Sequence, residues 1–363
     1  MVFCYNSSMN TQLKNTNINT KTILVTGGAG YIGSHTVLAL LDGGYKVVIF
    51  DKAGLNDIFK TSLELYSGWV IFERGNLLNH SDLDSLFGTH NIDGVIHFAA
   101  DPAIVSQKPE HTAGYYANNI ISSINLIEKC RQMKINKFVF SSTAAMYGIP
   151  KTLPITESSD LAPINIYGYT KSVIEKMLQD YHASFSFESI RLRYFNACGG
   201  DQQMRTGECH NPEIHLIPCI LQSIGSDKVF QLFGNDYDTP DGTNVRDYIH
   251  VSDLANAHFL ALNKMFEQEN LCEVINLGTG TGYSNKQIFD MVETIVGVKI
   301  PVEIVARRQG DPDILVANNT KAKEFLGWEP THSDLSNIIQ TAWNWEKNNK
   351  SRFTSNILPK VEI

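Results

Sequence analysis

Thr22-Ile23-Leu24-Val25-Thr26-Gly27-Gly28-Ala29-Gly30-Tyr31-Ile32-Gly33 reads as a short apolar strand that runs straight into glycines, with a helix-like pattern following at once. Gly28, Gly30 and Gly33 fit GxGxxG, and Gly27, Gly30 and Gly33 fit GxxGxxG. Such glycines permit a tight turn and let the backbone approach a pyrophosphate. The helix behind them offers unpaired N–H groups and the positive end of its dipole. A glycine turn without a ligand has the same pattern, so context decides. A second apolar run, 46–50 (KVVIF), ends at Asp51, 18 residues past Gly33. A carboxylate there accepts hydrogen bonds from adenosine ribose hydroxyls and repels a 2′-phosphate. The stretch therefore predicts a dinucleotide site that takes NAD rather than NADP.

Working outward, further runs at 70–74 (VIFER), 94–99 (GVIHFA), 137–141 (KFVFS) and 188–195 (ESIRLRYF) have continuous apolar cores. Strands buried on both faces of a parallel sheet look like this. Helix-sized segments at 31–42, 112–133 and 167–183 lie between them. The alternation predicts an α/β fold, a Rossmann-type doubly wound parallel sheet. After residue 196 the rhythm breaks at a polar, glycine-bearing loop, 197–213. We expect a dinucleotide-binding domain over 21–196 and a smaller α/β substrate-binding lobe over 197–347, with some interleaving of segments. Residues 1–20, rich in Asn and Thr, read as a flexible extension in which Met9 is an alternative start, and 348–363 read as a tail.

With 363 residues, 43% of them hydrophobic, the chain is long enough to bury a large core without staples. Thirty basic against 38 acidic residues give a net charge of −8, which disfavours a nucleic-acid partner but leaves room for a local cationic pocket. The sequence contains no run of 18 apolar residues, so no transmembrane helix is expected, and the first 20 residues lack the apolar core of a secretory signal. Six scattered cysteines form no CxxC pair, so neither a metal site nor a disulfide framework is expected and a cytoplasmic location is.

Two stretches carry the chemistry. Ser141-Ser142-Thr143 closes the fifth strand, and Tyr167-Gly168-Tyr169-Thr170-Lys171 opens a helix. Ligands of doubly wound sheets bind outside the carboxyl ends of the strands, which is where Thr143 falls. Tyr167 and Lys171 are i and i+4, on one helix face. A free phenol, with a pKa of about 10, is a poor base at neutral pH. A nearby ammonium, and the positive ring of an oxidised nicotinamide, favour the phenolate. Tyr167, Lys171 and Thr143 are therefore the expected catalytic residues.

These three features resemble the extended short-chain dehydrogenase/reductase superfamily. The longer blocks TGGAGYIGSH (26–35), VIHFAA (95–100), RYFNACG (193–199), LFGNDYDTPDGTNVRDYIHV (232–251) and INLGTGTGYS (275–284) closely resemble the UDP-glucose/UDP-galactose 4-epimerases, over about 21–347. The resemblance implies a reaction without net redox. Tyr167 takes the proton of the sugar 4-hydroxyl while the C4 hydride goes to NAD+. The 4-keto sugar then turns, and both are returned on its other face. Thr143 bonds the 4-oxygen, and Lys171 holds the nicotinamide ribose and tunes Tyr167. By the same resemblance Gly27, Gly30, Tyr31, Ile32, Gly33, Asp51, Asn76, Leu77, Phe98, Ala99, Asn118, Tyr167, Lys171 and Tyr194 surround the cofactor. Asn196, His215, Leu216, Phe233, Arg246, Tyr248, Arg308, Asp311 and Leu315 join Thr143 and Tyr167 around the UDP-sugar. The two arginines suit the diphosphate because their planar forks bind its oxygens in pairs. Leu315, four residues past Asp311 of RRQGD, matches the position facing the sugar's C2 side. A homodimer through the helices near 112–133 and 167–183 is likewise implied.

One loop departs from the pattern. After VIHFAA the chain reads DPAIVSQKPEHTAGYYANN (101–119), without the lysine that several members carry beside the nicotinamide. Contacts in that loop are not carried over. Alternatives stay open: a 4-epimerase of UDP-N-acetylhexosamine or UDP-glucuronate, and, less favoured, a 4,6-dehydratase of nucleotide sugars. The last adds an acidic pair after the strand-end Ser/Thr, where this chain has Ala144 and Ala145. An NAD-sensing binding protein would be expected to lack Tyr167 or Lys171. His97, inside an apolar strand, reads as a core histidine, and Trp343 with Trp345 as packing for a terminal helix.

Overall fold

The computed structural model describes residues 20–101, 112–210, 212–225, 229–308 and 310–353. The divergent loop 102–111, the N-terminal extension to residue 19 and the end of the tail lie outside them. In chain order the strands are β1 Thr22–Thr26, β2 Lys46–Asp51, β3 Val70–Arg74, β4 Gly94–His97, β5 Lys137–Thr143, β6 Glu188–Tyr194, β7 Asn196–Cys198, β8 Phe230–Phe233, β9 Val245–His250, β10 Cys272–Leu277, β11 Gly282–Ser284, β12 Val302–Val305 and β13 Ile314–Leu315. The longer helices are α1 Tyr31–Asp42, α2 Asp57–Leu63, α3 His80–Thr89, α4 Ser122–Gln132, α5 Ile166–Phe185, α6 Leu216–Ser223, α7 Val251–Glu267, α8 Asn285–Val296, α9 Thr320–Leu326 and α10 Leu335–Phe353.

A seven-stranded sheet has the order β10-β6-β5-β4-β1-β2-β3. Every pairing in it is parallel. Two apolar cores flank it. One packs Val37, Leu38 and Leu41 of α1 and Leu254, Ala261 and Leu262 of α7 against the sheet. The other packs Leu83, Leu86, Leu126, Ile127, Ile174 and Leu178 from α3, α4 and α5. Buried on both sides, the strands need the unbroken apolar runs seen in the sequence. The chain leaves β1 toward β2 and β3, then crosses back to place β4 on β1's other side. That reversal opens a crevice at the carboxyl ends of β1 and β4.

The segment from Val251 to Leu277 returns to this first lobe, where α7 packs on α1 and β10 pairs with β6. This stretch, which lies past residue 196, thus packs with the seven-stranded sheet. The smaller lobe groups β7, β11 and β13 around β9, and pairs β12 with β8. Ile217, Ile220, Ile288, Val292, Ile338 and Ile339 from α6, α8 and α10 form its core.

His97 is a core residue, as expected. Its Nδ1 lies 2.6 Å from Thr26 Oγ1 and its Nε2 2.8 Å from Ser123 Oγ. Trp345 is buried and donates its indole N–H to the Glu208 carbonyl at 2.6 Å, while Trp343 packs on the same core.

Candidate active site

The turn after β1 hinges on Gly27, whose φ is +71°. A Cβ on Gly27 would stand 2.6 Å from the Ala99 nitrogen, and one on Gly33 would stand 2.2 Å from the Gly27 oxygen. Only glycine lets the turn, the exit of β4 and the first turn of α1 close up this far. Gly30 is the N-cap of α1 and contributes no side-chain acceptor, and no acidic residue stands in the first turn. The leading N–H groups of α1 are thus a donor set suited to a pyrophosphate. Asp51 stands beside the turn, accepting the Ala29 N–H at 3.1 Å and the Ala53 N–H at 2.9 Å. These residues fit a dinucleotide with an unphosphorylated ribose.

The other predicted cofactor residues distribute around that turn. Phe98 and Ala99 follow β4, with both N–H groups on the Thr26 carbonyl at 2.9 and 3.1 Å. Tyr31 turns its hydroxyl to the Gly199 carbonyl at 2.6 Å, tying the turn to the segment after β7, and Ile32 packs on the core of the larger sheet. Asn76 is exposed beyond β3, and Leu77 beside it is buried. Asn118 is half-buried in a π-helical turn, Tyr116–Ile121. Its neighbour Asn119 is wholly buried, donating to Thr170 Oγ1 at 3.0 Å and accepting the Asp101 N–H at 2.7 Å.

At the end of β5, Asn165 caps α5 by accepting the Gly168 N–H at 2.7 Å. A Cβ on Gly168 would meet the Ala145 carbonyl oxygen at 2.6 Å. The helix can therefore seat against the turn Ala144–Tyr147 only with glycine there. This seating brings the Tyr167 phenol beside Thr143, whose side chain works to lower the phenol's pKa. Thr143 Oγ1 also accepts the Ala145 N–H at 3.1 Å. One helical turn on, the buried Lys171 donates to the Ser141 carbonyl at 2.8 Å. Its Nζ stands 4.7 Å from the Phe140 ring centre and 5.8 Å from that of Tyr167. Tyr194 shares a 2.5 Å hydrogen bond with Ser141 Oγ, and burial pushes its pKa up to about 12.

The expected lowering of the Tyr167 pKa is not what this environment produces. Burial pushes Tyr167 up, Tyr194 adds to the rise, and the Thr143 side chain opposes it. Burial also pushes Lys171 down to about 7, against the pull of Glu175. In this dry crevice the loss of hydration is the largest cause of both shifts.

Glu175 was not singled out from sequence. It continues the Tyr167–Lys171 face by one more turn, and that i, i+4, i+8 spacing was the available signal. Its carboxylate accepts Arg193 Nη2 at 2.7 Å, Arg193 Nε at 2.9 Å and Ser142 Oγ at 2.5 Å. Arg193 donates to the Tyr147 hydroxyl at 2.9 Å, and that hydroxyl donates to Asn276 at 2.6 Å. The network is buried and braces the strand end that carries Thr143.

In the smaller lobe, Arg246 is ion-paired to Asp311 at 2.6 Å. The second Asp311 oxygen accepts from Asn244 at 2.9 Å and from the Tyr237 hydroxyl at 3.1 Å. Asn244 and Tyr237 are further additions to the sequence reading. Arg308 lies over the Phe233 ring, 4.2 Å from its centre. Asn196 is exposed at the head of β7, in register with the buried Tyr248 of β9. Leu315 pairs with Arg246 and packs, half-buried, against the cluster of Ala144, Tyr147, Ile155, Phe195 and Ala317. His215 is the N-cap of α6, and Leu216 begins that helix. Burial would lower the His215 pKa, but the hydrogen bonds it donates to Glu208 and Glu213 outweigh it and carry the value up to about 10.

A cleft that joins a glycine turn to a Tyr/Lys/Thr group defines a class, and the chain belongs to the NAD dependent epimerase/dehydratase family, whose model matches residues 23–278. Within that class it is similar to UDP-glucose 4-epimerases. The enzyme of Halalkalibacterium halodurans is 45% identical over 326 residues, covering 90% of this chain and 95% of that protein. The structure of UDP-glucose 4-epimerase from Brucella ovis in complex with NAD is 40% identical, with a TM-score of 0.83, over 90% of this chain and 98% of that one. That from Bifidobacterium longum in complex with NAD+ and UDP is 37% identical, with a TM-score of 0.84, over 91% and 99%.

Proposed function

We propose that this chain interconverts UDP-glucose and UDP-galactose by inverting C4 of the hexose, with NAD as its cofactor. The observation that carries the mechanism is the nearness of the Tyr167 phenol to Thr143, whose side chain works to lower the phenol's pKa, at the carboxyl end of β5 on the side of the sheet where the glycine turn lies. NAD, when bound, supplies a ring that accepts a hydride from a carbinol carbon and can return it. The Tyr167 phenolate oxygen takes the 4-hydroxyl proton, and the same oxygen gives it back after the keto sugar has turned. Thr143 holds that 4-oxygen. Lys171 bonds the ribose and lowers the cost of charge on Tyr167. Arg246 and Arg308 grip the diphosphate, Asp311 and the Phe233 and Tyr248 rings hold the uridine, and Asn196, His215 and Leu216 close around the phosphates. Ala144 and Ala145 cannot move a proton, which disfavours a dehydratase.

Lobe division follows the same reading: NAD on the larger sheet, UDP-sugar on the smaller lobe. A homodimer through α4 and α5 is part of the proposal. Exposed Tyr116, Ile121, Ile124 and Tyr169 lie on or beside those helices, with the Tyr116 and Tyr169 rings 6.5 Å apart. Light scattering of the purified protein reads its mass directly. The proposed location is cytoplasmic. None of the described cysteines is in a disulfide, and no helix among the described residues is long and apolar enough to cross a membrane.

The test of the reading is Tyr167→Phe. It keeps the ring and removes the phenol, so UDP binding survives while turnover falls at least about 10²-fold. A folded variant that retains near-full rate contradicts the assignment.

A further inference from the structure

Beside the crevice lies a cluster that proton and hydride transfer at C4 does not require. Glu208, His210, Glu213 and His215 follow the spacing E-x-H-x-x-E-x-H in the segment leading into α6, and one ligand atom from each lies within 4.8 Å of all the others. We infer that these four side chains form a binding site for a divalent transition-metal cation of the zinc type.

The contacts are poorly matched as hydrogen bonds alone. His215 Nδ1 stands 2.6 Å from Glu208 Oε1 and 3.0 Å from Glu213 Oε1, and His210 Nδ1 stands 3.0 Å from the same Glu208 oxygen. One N–H cannot serve two carboxylate oxygens well. A cation among them is reached by all four groups, each through one lone pair. Bonds of about 2.0–2.2 Å to nitrogen and oxygen in a tetrahedral set put neighbouring donor atoms roughly 3.3 Å apart. The separations of 2.6 to 4.8 Å bracket that spacing, so small side-chain rotations suffice.

Charge and surroundings agree with this. Two carboxylates balance one divalent cation when both imidazoles are neutral, and two imidazoles with two carboxylates suit zinc. The Glu208 and Glu213 side chains are 6% and 5% exposed, whereas those of His210 and His215 are 35% and 41% exposed. The acidic floor is inside and the imidazoles are at the mouth, which gives a path of entry. Other bonds also hold the frame. Trp345 of α10 donates to the Glu208 carbonyl at 2.6 Å, and backbone N–H groups of Ile214 and His215 fix the Glu213 carboxylate through its Oε1 at 2.8 and 2.9 Å, leaving Oε2 free to turn toward a cation. A cation here pins the segment from Glu208 to His215 at the start of α6, against α10. The spacing escaped the cysteine-based sequence reading because it uses no thiol.

The experiment titrates the full-length protein, stripped with a chelator, with zinc chloride by calorimetry, and counts zinc after gel filtration. The expected result is one zinc per chain with a Kd at or below about a micromolar. His210→Gln and Glu208→Gln each weaken it at least about tenfold, and Cys209→Ser leaves it unchanged. X-ray absorption then shows only nitrogen and oxygen around the zinc, two of them imidazole. Should Glu208→Gln not fold, the half-exposed His210→Gln decides alone. Zinc well below one per chain, unchanged affinity in His210→Gln, or sulfur in the zinc's shell overturns the inference and leaves an imidazolium–carboxylate network.

Discussion

Leu315 is the residue at which substrate breadth is decided in the proposed reading. It packs half-buried on Ala144, Tyr147 and Phe195, directly behind the turn that follows Thr143, and its backbone neighbour in register is Arg246. It is smaller than tyrosine and larger than serine. Forcing an N-acetyl group into a filled site costs roughly 1–3 kcal/mol, or about 10- to 100-fold in affinity. UDP-glucose and UDP-galactose are therefore the better substrates, with weaker but measurable turnover of UDP-N-acetylglucosamine. Measured as kcat/KM, the N-acetyl/plain ratio falls in Leu315→Tyr and rises in Leu315→Ser. Equal ratios in all three proteins remove Leu315 from the account. At this scale the sequence was readable where chemistry fixes the residue type: Gly27, Gly33, Asp51, Thr143, Tyr167 and Lys171 lie by the carboxyl ends of β1, β2 and β5. It was silent where partners come from far along the chain. Asp311 joins Arg246 and Tyr237 over separations of 65 and 74 residues, which no local spacing encodes.

Among the elements, α5 does most to assemble the site, and its position rests on one missing Cβ. Gly168→Ala puts a methyl 2.6 Å from the backbone oxygen of Ala145, which cannot rotate away. The helix start must shift, carrying Tyr167 off Thr143. A misplacement of about 1 Å costs on the order of 10²-fold in rate. The expected outcome is that kcat falls by that order while the melting temperature changes by only a few degrees; wild-type kcat contradicts the packing argument. Legibility differed between elements. The segments 31–42 and 167–183 coincide closely with α1 and α5, because 3.6-residue periodicity is a local signal. The segment 112–133 read as one helix, but the structure inserts the π turn Tyr116–Ile121 before α4. One extra residue per turn barely changes a periodicity pattern, yet it is the turn in which Asn119 is buried against Thr170.

The molecule as a whole carries a built-in sensitivity to acid. His35, His97, His250 and His258 are all nearly inaccessible, and burial pushes their pKa values down to about 4, 3, 3 and 4. Above about pH 6.5 they are neutral in folded and unfolded chains alike, and stability is unaffected. Below it the unfolded chain takes up protons that the native fold refuses, so stability falls as pH drops toward the folded values. Each such group contributes up to about 1.4 kcal/mol per pH unit in that window. Urea midpoints should therefore drop steeply between pH 7 and pH 5, and a flat profile contradicts the buried neutral histidines. Some interleaving of the lobes was expected from the sequence, but not which segment would cross over. Sequence order suggests two successive blocks, whereas α7 and β10 fold back because the apolar face of α1 and the edge of β6 need covering. What the assembled molecule does is tested most directly by proton NMR of the purified protein with UDP-galactose, with and without added NAD+. The account predicts that UDP-glucose accumulates to an equilibrium mixture with no net build-up of NADH. Unchanged UDP-galactose in the presence of NAD+, or consumption of NAD+ in step with an oxidised sugar, would contradict it.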